Sequence, residues 1–504
     1  MIYNLSELLH KPYKRPVYNQ IAMKVLFLHP PWPGEGYGLR SQNRWPRKRG
    51  DKTNRYPILL CSCATYVREQ GNEVKYIDSV ILDLDLDKTI EKVKDFSPDV
   101  IFIESATPTF PYDKKVVEIL KEKFPKTKFL MAGYHVTTYP IESIKDSKID
   151  IIIKGEMDQT TVNVISALKN NIPLEQVKGI CFKKENKIID NEEADLIQDL
   201  DELPFPDRDL IPHQWYFEGY VTEAPFTFVM GSRGCPKRCT YCLWPTVYFK
   251  NRLRLRSIKN IVDELEWLIK NYDMKEIFFD DDTLNVTIQR VKDLAQEIID
   301  RNLKIIWSCS MRMDKVDSEM LYLAKKSGCK LICYGAESAS QETLDKVNKN
   351  LTIKQIRNCM RITKKSKILS HVNFMFGFPW ETKKDIENTI KFAIELNPDS
   401  VQFSICYPHP GSPMYKDALD NNLFYDDVKG NWEKFGMMTG PLLKTKVDKD
   451  YLINAVSKAH SKFYLRPSYI FRQILNINSY KEFKRVLRGT KAVIFGKILF
   501  RGKK

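Results

Sequence analysis

The sequence predicts an α/β protein with two parallel sheets, one after the other. Short apolar runs alternate with amphipathic segments twice along the 504 residues, and the apolar runs are continuous rather than alternating. Continuous runs are typical of strands that helices cover on both faces. We therefore expect an N-terminal Rossmann-like doubly wound parallel sheet, then a partial (β/α)6 barrel and a helical basic C-terminal segment.

The first alternation predicts five strand–helix units within residues 24–170, after a polar N-terminal extension, residues 1–23. The predicted strands are Lys24–Leu28, Glu73–Ile77, Asp99–Ile103, Lys128–Met131 and Ile149–Ile153. In such sheets ligands bind beyond the carboxyl ends of the strands. No Gly-x-Gly-x-x-Gly follows the first strand, which argues against NAD or FAD.

Residues 171–224 predict a hairpin at Lys178–Asp190, with a turn at Glu185-Asn186, and a Pro-rich linker at Leu203–Asp207. The second alternation, residues 225–445, predicts the barrel, and residues 446–504 the basic helical region. The barrel strands are expected at Phe226–Met230, Glu276–Phe279, Lys304–Ser308, Leu331–Tyr334, His371–Phe376 and Ser400–Cys406.

Charge is concentrated in the tail: residues 461–504 hold twelve Lys or Arg and one acid, so they supply +11 of the net +16. Tyr480–Lys504 predicts an amphipathic helix that either lies on an anionic membrane surface or caps the barrel. Basic residues are not interleaved with aromatics, so nucleic acid is not an expected partner. Eleven cysteines and no apolar stretch long enough to span a bilayer favour a cytoplasmic protein, membrane-associated if the tail binds lipid.

The chemistry is concentrated in Gly231–Cys242, directly after the first barrel strand. Cys235, Cys239 and Cys242 form a Cys-x3-Cys-x2-Cys pattern. Thiolates at this spacing suit an iron–sulfur cluster or zinc. A structural zinc site normally has a fourth ligand, and none lies nearby in the sequence. The pattern therefore predicts a cluster with one iron left open.

This motif resembles that of the radical S-adenosylmethionine (SAM) superfamily, and the resemblance extends to Pro413. It implies a [4Fe-4S] cluster held by the catalytic Cys235, Cys239 and Cys242, with SAM on the open iron. It also implies reductive cleavage of SAM to a 5′-deoxyadenosyl radical, with an electron from a donor such as flavodoxin or ferredoxin. The segments that resemble the family's SAM site imply these further contacts: Tyr241, Asp280, Arg312, Glu337, Ser338 and Gly377.

The first 170 residues resemble the cobalamin-binding domain that precedes many radical SAM barrels. The resemblance implies cobalamin contacts at Ser105, Thr107, Gly133, Gly155 and Glu156, all just past predicted strands. Two features depart from the pattern. The Asp-x-His-x-x-Gly motif is absent, which implies cobalt without a histidine ligand, and Tyr134 replaces a second glycine. His29 and His135 are also interpretable as ordinary hydrogen-bonding residues at strand ends.

Together these resemblances imply a cobalamin-dependent radical SAM enzyme that modifies an unactivated carbon of a small or lipid-like molecule, most often by methyl transfer. One alternative is an anaerobic oxidative cyclase, or another radical rearrangement without methyl transfer. A non-enzymatic alternative is a cobalamin sensor, against which the intact cysteine triad argues. Methyl transfer requires that the strand ends holding Ser105 and Gly133 face the loop holding the cysteines.

Overall fold

A computed structural model describes residues 22–34, 37–38, 40, 48–49, 54–436 and 440–475. The N-terminal extension and the predicted helix at Tyr480–Lys504 lie outside these residues. The strands are β1 Lys24–His29, β2 Tyr37–Gly38, β3 Lys48–Arg49, β4 Glu73–Asp78, β5 Val100–Glu104, β6 Lys128–Ala132, β7 Ile151–Ile153, β8 Ile180–Lys184, β9 Lys187–Asp190, β10 Phe226–Val229, β11 Ser232–Arg233, β12 Arg254–Leu255, β13 Glu276–Phe279, β14 Ile306–Met311, β15 Cys329–Glu337, β16 Leu369–Phe376 and β17 Ser400–Ile405.

The α-helices alternate with these strands, as the periodicity predicts. They are α1 Ile58–Glu69, α2 Leu86–Phe96, α3 Phe110–Lys123, α4 Tyr134–Thr138, α5 Pro140–Lys145, α6 Met157–Asn170, α7 Trp244–Val247, α8 Ile258–Tyr272, α9 Ile288–Asp300, α10 Ser318–Lys326, α11 Gln341–Lys346, α12 Ile353–Lys365, α13 Lys383–Leu396, α14 Pro413–Asp420, α15 Lys449–Tyr464 and α16 Pro467–Leu475. Side-chain caps fix the residue at which many of these helices begin. Ser257, Thr287 and Asp317 each accept a hydrogen bond from the backbone N–H three residues ahead.

The first sheet has the strand order β4-β1-β5-β6-β7-β8-β9. Its first five strands are parallel, and apolar clusters cover both faces. The doubly wound sheet is therefore confirmed. The predicted hairpin forms as β8 and β9, and it extends this sheet because β8 pairs antiparallel with β7. The strand order reverses at β1, so the crevice beyond His29 and Glu104 is the topological switch point of the sheet.

The second sheet has six parallel strands in sequence order, β10-β13-β14-β15-β16-β17, which confirms the partial (β/α)6 barrel. Its main apolar core lies between the strands and the surrounding helices. Helix α15 covers the free edge of β17. The hydroxyl of Tyr464 accepts a hydrogen bond from the Val401 N–H at 2.9 Å and donates one to the Val401 carbonyl at 2.7 Å. These bonds replace the missing neighbouring strand.

The two sheets share one apolar cluster. It contains first-sheet residues such as Phe27 and Tyr134 together with Trp244 and Tyr248, which follow the cysteine loop. The linker is also packed rather than loose, because the fully buried Arg208 donates to Glu264 of α8 at 2.9 Å and to the Phe228 carbonyl at 2.7 Å.

Candidate active site

The cysteine loop leaves β10 through a two-stranded ribbon of β11 and β12. Gly234 has φ +87°, and a Cβ at this position would lie 2.2 Å from the Arg252 carbonyl oxygen. Only glycine fits there, so the ribbon can close at the base of the loop. Cys235, Cys239 and Cys242 then line one open cleft at the carboxyl ends of the barrel strands.

The three cysteines are not arranged as ligands of a single ion. Among the described residues, no three His, Cys, Asp or Glu side chains form a group that could hold one metal ion. In an iron–sulfur cube each cysteine binds a different iron, so the sulfur atoms lie around a volume rather than a point. An open cleft lined by all three fits such a cube.

A buried ion pair forms part of the wall of the cleft. Lys349 Nζ lies 2.6 Å from Glu337 Oε1, which also accepts a hydrogen bond from the Tyr241 hydroxyl at 3.1 Å. Glu337 has φ +65°, which is uncommon outside glycine and costs backbone energy. Gly335 makes room, because a Cβ there would lie 2.3 Å from Glu337 Oε1. Burial alone would lower the pKa of Lys349, but Glu337 raises it above its usual value, so the ammonium stays charged.

Lys349 was not among the site residues expected from the sequence. It stands in Asn348-Lys349-Asn350, a polar stretch with no periodic or motif signal. Only the fold brings it beside Glu337, twelve positions earlier in the chain.

Three adjacent carboxylates follow β13, and the fold separates their environments. Asp280 forms an ion pair with Arg55, which comes from the segment before α1. Asp281 accepts hydrogen bonds from the Gly231 N–H and the Ser232 hydroxyl, and so braces the start of the cysteine loop. Asp282 lines the cleft together with the cysteines. The carboxylate that faces the cleft is therefore Asp282, two positions beyond the expected Asp280.

The remaining expected SAM contacts divide into one cleft residue and two supporting residues. Arg312 lines the cleft, where Asp314 and the Lys349 carbonyl each accept one of its N–H groups at 2.8 Å. Ser338 is fully buried, and its hydroxyl accepts from the Ser340 N–H at 3.2 Å. Gly377 has φ +82°, and its N–H donates to Glu381 at 2.8 Å.

At the other sheet, Gly133 and Ser105 approach each other closely. Gly133 has φ +126°, and a Cβ would lie 1.9 Å from the Ser105 carbonyl oxygen. The Ser105 hydroxyl donates to Asp113 at 2.8 Å, and Asp113 forms a buried ion pair with Arg40 at 2.7 Å. The Ser105 side chain is therefore part of an internal network at the strand ends.

Thr107 and His135 pair above the same strand ends, with 3.3 Å between the Thr107 hydroxyl and His135 Nδ1. The His135 ring packs against Phe110 at 4.3 Å and Trp432 at 4.9 Å between centroids. Burial lowers the pKa of His135 to about 3, so its ring is neutral. This environment matches the interpretation of His135 as a strand-end hydrogen-bonding residue.

His29 occupies a charged cluster at the switch point. Its Nδ1 lies 3.4 Å from Asp78 Oδ2, and its Nε2 lies 3.8 Å from Glu104 Oε2. Burial alone would lower the pKa of His29, but Asp78 and Glu104 raise it to about 9. Both carboxylate oxygens of Glu104 are buried and lack a hydrogen-bond partner within the described part of the chain. Glu104 ends β5 and was not among the residues expected from the sequence.

The strand ends of the two sheets face each other across a wall of aromatic rings. Tyr134, directly after Gly133, meets Trp244 edge to face with 6.1 Å between ring centroids. Trp244 follows Cys242 by two residues and lines the cleft, as does His409, whose ring lies 6.5 Å from that of Tyr134. The strand end that holds Gly133 therefore faces the loop that holds the cysteines, as methyl transfer requires.

Gly155 and Glu156 complete the facing edge, but the Glu156 carboxylate is bound within the protein. Arg233 and Arg254 each donate to it at 2.7 Å. The Gly155 N–H donates to the Thr137 hydroxyl at 3.1 Å, and Gly155 has φ +68°.

Comparison with known proteins agrees with this architecture. The model of the radical SAM superfamily matches residues 229–393, and that of the B12 binding domain matches residues 52–165. An uncharacterized methyltransferase of Pyrococcus horikoshii is 32% identical over 451 residues, which are 89% of this chain and 96% of that protein. This chain belongs to the cobalamin-binding radical SAM enzymes. Its cofactors are a [4Fe-4S] cluster, S-adenosylmethionine and cobalamin, so the sensor alternative falls away.

Three further proteins show lower sequence identity to this chain. The anaerobic magnesium-protoporphyrin IX monomethyl ester cyclase of Rubrivivax gelatinosus is 26% identical over 458 residues, covering 89% of this chain and 78% of the cyclase. Among solved structures, the cobalamin-dependent SAM radical enzyme OxsB aligns with a TM-score of 0.69 at 15% identity, over 94% of this chain and 72% of that chain. The radical SAM methyltransferase TsrM of Kitasatospora setae aligns with a TM-score of 0.65 at 17% identity, over 79% of this chain and 76% of that chain.

Radical SAM enzymes typically act on small molecules and take electrons from an external reductant. Among the described residues, no helix is long and apolar enough to cross a membrane.

Proposed function

We propose that this enzyme transfers a methyl group to an unactivated carbon of a small molecule. The observation that carries the proposal is the contact between Tyr134 and Trp244, which brings the strand ends of the cobalamin-binding half against the cysteine loop. The two cofactors can then be held on facing edges, close enough to act on one carbon. When bound, the cluster with SAM supplies a radical that removes a hydrogen atom, and cobalamin supplies the methyl group.

We assign the cluster to Cys235, Cys239 and Cys242, and the SAM site to the cleft beyond them. We assign the SAM ammonium to Asp282, which lines the cleft, in preference to Asp280, whose carboxylate pairs with Arg55. Arg312 and Lys349 supply positive charge for the SAM carboxylate. Tyr241 and Glu337 orient Lys349, while Ser338 and Gly377 shape the strand ends behind it.

We assign cobalamin to the switch point of the first sheet. Glu104 supports this assignment, because its buried carboxylate has the His29 ring 3.8 Å away but no donor at hydrogen-bond distance, and a ligand N–H would supply that bond. The side-chain amides of cobalamin are N–H donors that suit such an acceptor. Thr107 and the backbone beside Gly133 lie at the same edge, and Ser105, Gly155 and Glu156 act through the backbone and through internal bonds.

The aromatic wall serves to exclude water between the two halves. Tyr134, Trp244 and His409 are each less than 7% exposed. His409 stays neutral, because burial lowers its pKa to about 3. An uncharged, apolar enclosure protects a reactive carbon from solvent and side reactions.

The experiment that tests methyl transfer uses SAM labelled at its methyl group. Reconstituted, reduced enzyme is incubated with a small-molecule extract of the source cells, and labelled products are sought by mass spectrometry. We expect a labelled product, with S-adenosylhomocysteine and 5′-deoxyadenosine formed in about equal amounts. A product that gains a ring or unsaturation without label would contradict the proposal.

That contrary result would favour the second candidate, an anaerobic oxidative cyclase. The similarity to the Rubrivivax gelatinosus cyclase over most of both chains supports this second candidate. For either reaction we propose flavodoxin or ferredoxin as the external reductant.

We also propose that the C-terminal region contacts an anionic membrane surface, which would suit a lipid-like substrate. Ile470, Phe471, Ile474 and Leu475 of α16 are 43–65% exposed, and the basic tail follows them. Co-sedimentation should detect binding to phosphatidylglycerol vesicles but not to phosphatidylcholine vesicles. Phe471→Ser should weaken binding to the vesicles. Tyr322→Ser should not weaken it, although the Tyr322 ring on the barrel is equally exposed.

A further inference from the structure

Two arginines lie on the ribbon at the base of the cysteine loop. Arg233 in β11 and Arg254 in β12 are cross-strand partners. All three cysteines and helix α7 lie in the chain between them. Arg233 is only two residues before Cys235, so a shift of Arg233 moves the first cysteine with it.

Both arginines bind carboxylates of the other sheet. Arg233 Nη1 donates to Glu156 Oε1 and to Asp158 Oδ2, each at 2.7 Å, and Arg254 Nη1 donates to Glu156 Oε2 at 2.7 Å. Ser62 of α1 completes the network, because its hydroxyl donates to Asp158 at 2.8 Å. Glu156 and Asp158 stand at the start of α6, directly after β7.

The network is almost fully buried and electrically balanced. The side chains of Arg233, Glu156, Asp158 and Arg254 are only 5%, 5%, 1% and 6% exposed. Two guanidinium groups face two carboxylates. Because breaking one of these buried pairs would leave a charge without its partner, the pairs are kept while the two halves are packed together.

Directional bonds and apolar contacts constrain an interface differently. The packing of Trp244 and Tyr248 against the first sheet holds the halves together, but apolar surfaces tolerate small sliding movements. A guanidinium fork bound to two carboxylates fixes both the distance and the direction of approach. Radical chemistry on a carbon held between two cofactors needs that precision.

We propose that Arg233 is a positioning residue: through Glu156 and Asp158 it fixes the cysteine loop relative to the strand ends of the cobalamin-binding half. This inference rests on the proposed function, since it assumes that both halves act on one carbon. Arg254 supports it from the neighbouring strand. The role explains why the Glu156 carboxylate is engaged by arginines rather than free for a ligand.

The test measures the distance between the two cofactors. Full-length enzyme carrying cluster and cobalamin is reduced until both the cluster and cobalt(II) are paramagnetic, and their dipolar coupling is recorded by pulsed EPR. We expect a single narrow distance distribution for the wild type. Arg233→Lys keeps the charge but removes the fork, and should lose that narrow distribution. A variant with altered stability alone would keep it.

If Arg233→Lys does not fold, the same distance is measured in Asp158→Asn. This variant removes one carboxylate from the network but keeps both arginines. The matched control is Arg256→Lys, two residues beyond Arg254, whose ion pair with Glu264 stays within the barrel. Iron and cobalamin content are measured on every sample. Unchanged distances in loaded Arg233→Lys and Asp158→Asn overturn the positioning role and leave the proposed function standing. A wild type that takes up no cobalamin overturns both.

Discussion

Tyr134 and Trp244 meet edge to face, with 6.1 Å between their ring centroids, across the boundary between the two sheets. Tyr134 follows the Gly133 turn beyond β6, and Trp244 follows the last cysteine of the loop by two residues. This contact is one of those that tie the carboxyl edge of the first sheet to that of the second. The order of motifs in the sequence could not reveal it, because two domains in tandem can face in any direction.

The first prediction concerns the cysteine loop. Cys239→Ala should reduce the iron content of anaerobically reconstituted protein well below the roughly four irons of a complete cluster, because one ligand is lost. SAM cleavage under reducing conditions should disappear with it. Iron and sulfide analysis and chromatographic detection of 5′-deoxyadenosine provide the measurement.

Cys181→Ala is the matched control, since Cys181 is a fully buried cysteine of the first sheet, away from the cleft. It should keep both properties. If a variant with alanine at all three loop cysteines still cleaved SAM, the cluster site would lie elsewhere.

Strands were predictable where apolar runs are continuous and less so where the barrel lining is polar. The sequence places the third barrel strand at Lys304–Ser308, but β14 is Ile306–Met311. Ser310 faces the cleft while Cys309 packs in the core behind the sheet. Small polar residues on the inner face interrupt the apolar run, so the predicted strand ends three residues early.

The candidate site was predictable where its residues lie close together in one sequence motif, as in the cysteine loop. It was not predictable where contacts from distant segments determine which residue faces the cleft. Asp280, Asp281 and Asp282 are equivalent in sequence. The fold distinguishes them, through Arg55 at Asp280 and through the Gly231 N–H and the Ser232 hydroxyl at Asp281. Glu104 is hidden as the last residue of a buried strand, and its lack of a hydrogen-bond partner is visible only in three dimensions.

The second prediction concerns Lys349. Lys349→Met leaves Glu337 buried without its cation, which is destabilising by about 3–5 kcal/mol for a buried pair. It should also weaken SAM binding, because the cleft loses a positive charge. Equilibrium denaturation and isothermal titration with SAM measure the two effects separately.

Lys346→Met serves as its control, since the Lys346 ion pair with Glu342 is exposed and surface pairs contribute about 0–1 kcal/mol. Lys349→Arg should retain part of the binding. Equal SAM affinity in wild type and Lys349→Met would remove Lys349 from the site.

The third prediction concerns Gly133. An alanine Cβ would lie 1.9 Å from the Ser105 carbonyl oxygen and would require a positive φ. Gly133→Ala should therefore displace the backbone between β5 and β6 and abolish the corrinoid absorption spectrum. Gly71→Ala isolates the cost of a positive φ, because nothing lies within 4 Å of its Cβ position. That control should cost only about 1–2 kcal/mol and keep the spectrum. Corrinoid binding by Gly133→Ala equal to that of wild type would contradict the assignment.

The fourth prediction is a pH dependence of stability that depends on His29. Asp78 and Glu104 raise the pKa of His29 to about 9, above the ordinary value near 6.5. The protonated ring is therefore favoured in the folded state. Its contribution is fully present below about pH 6.5 and is lost as the pH rises towards 9, by roughly 3 kcal/mol in all.

Denaturant unfolding of the protein at intervals from pH 6 to 9.5 measures this dependence. His29→Gln should flatten the fall in the free energy of unfolding over that window, because glutamine bears no proton to lose. His135 supplies the contrast: burial lowers its pKa to about 3, so its ring is neutral in the folded state throughout this range. His135→Gln should leave the fall between pH 7.5 and 9 in place. A wild-type curve whose slope above pH 7 equals that of His29→Gln would show that the ring between Asp78 and Glu104 carries no extra proton.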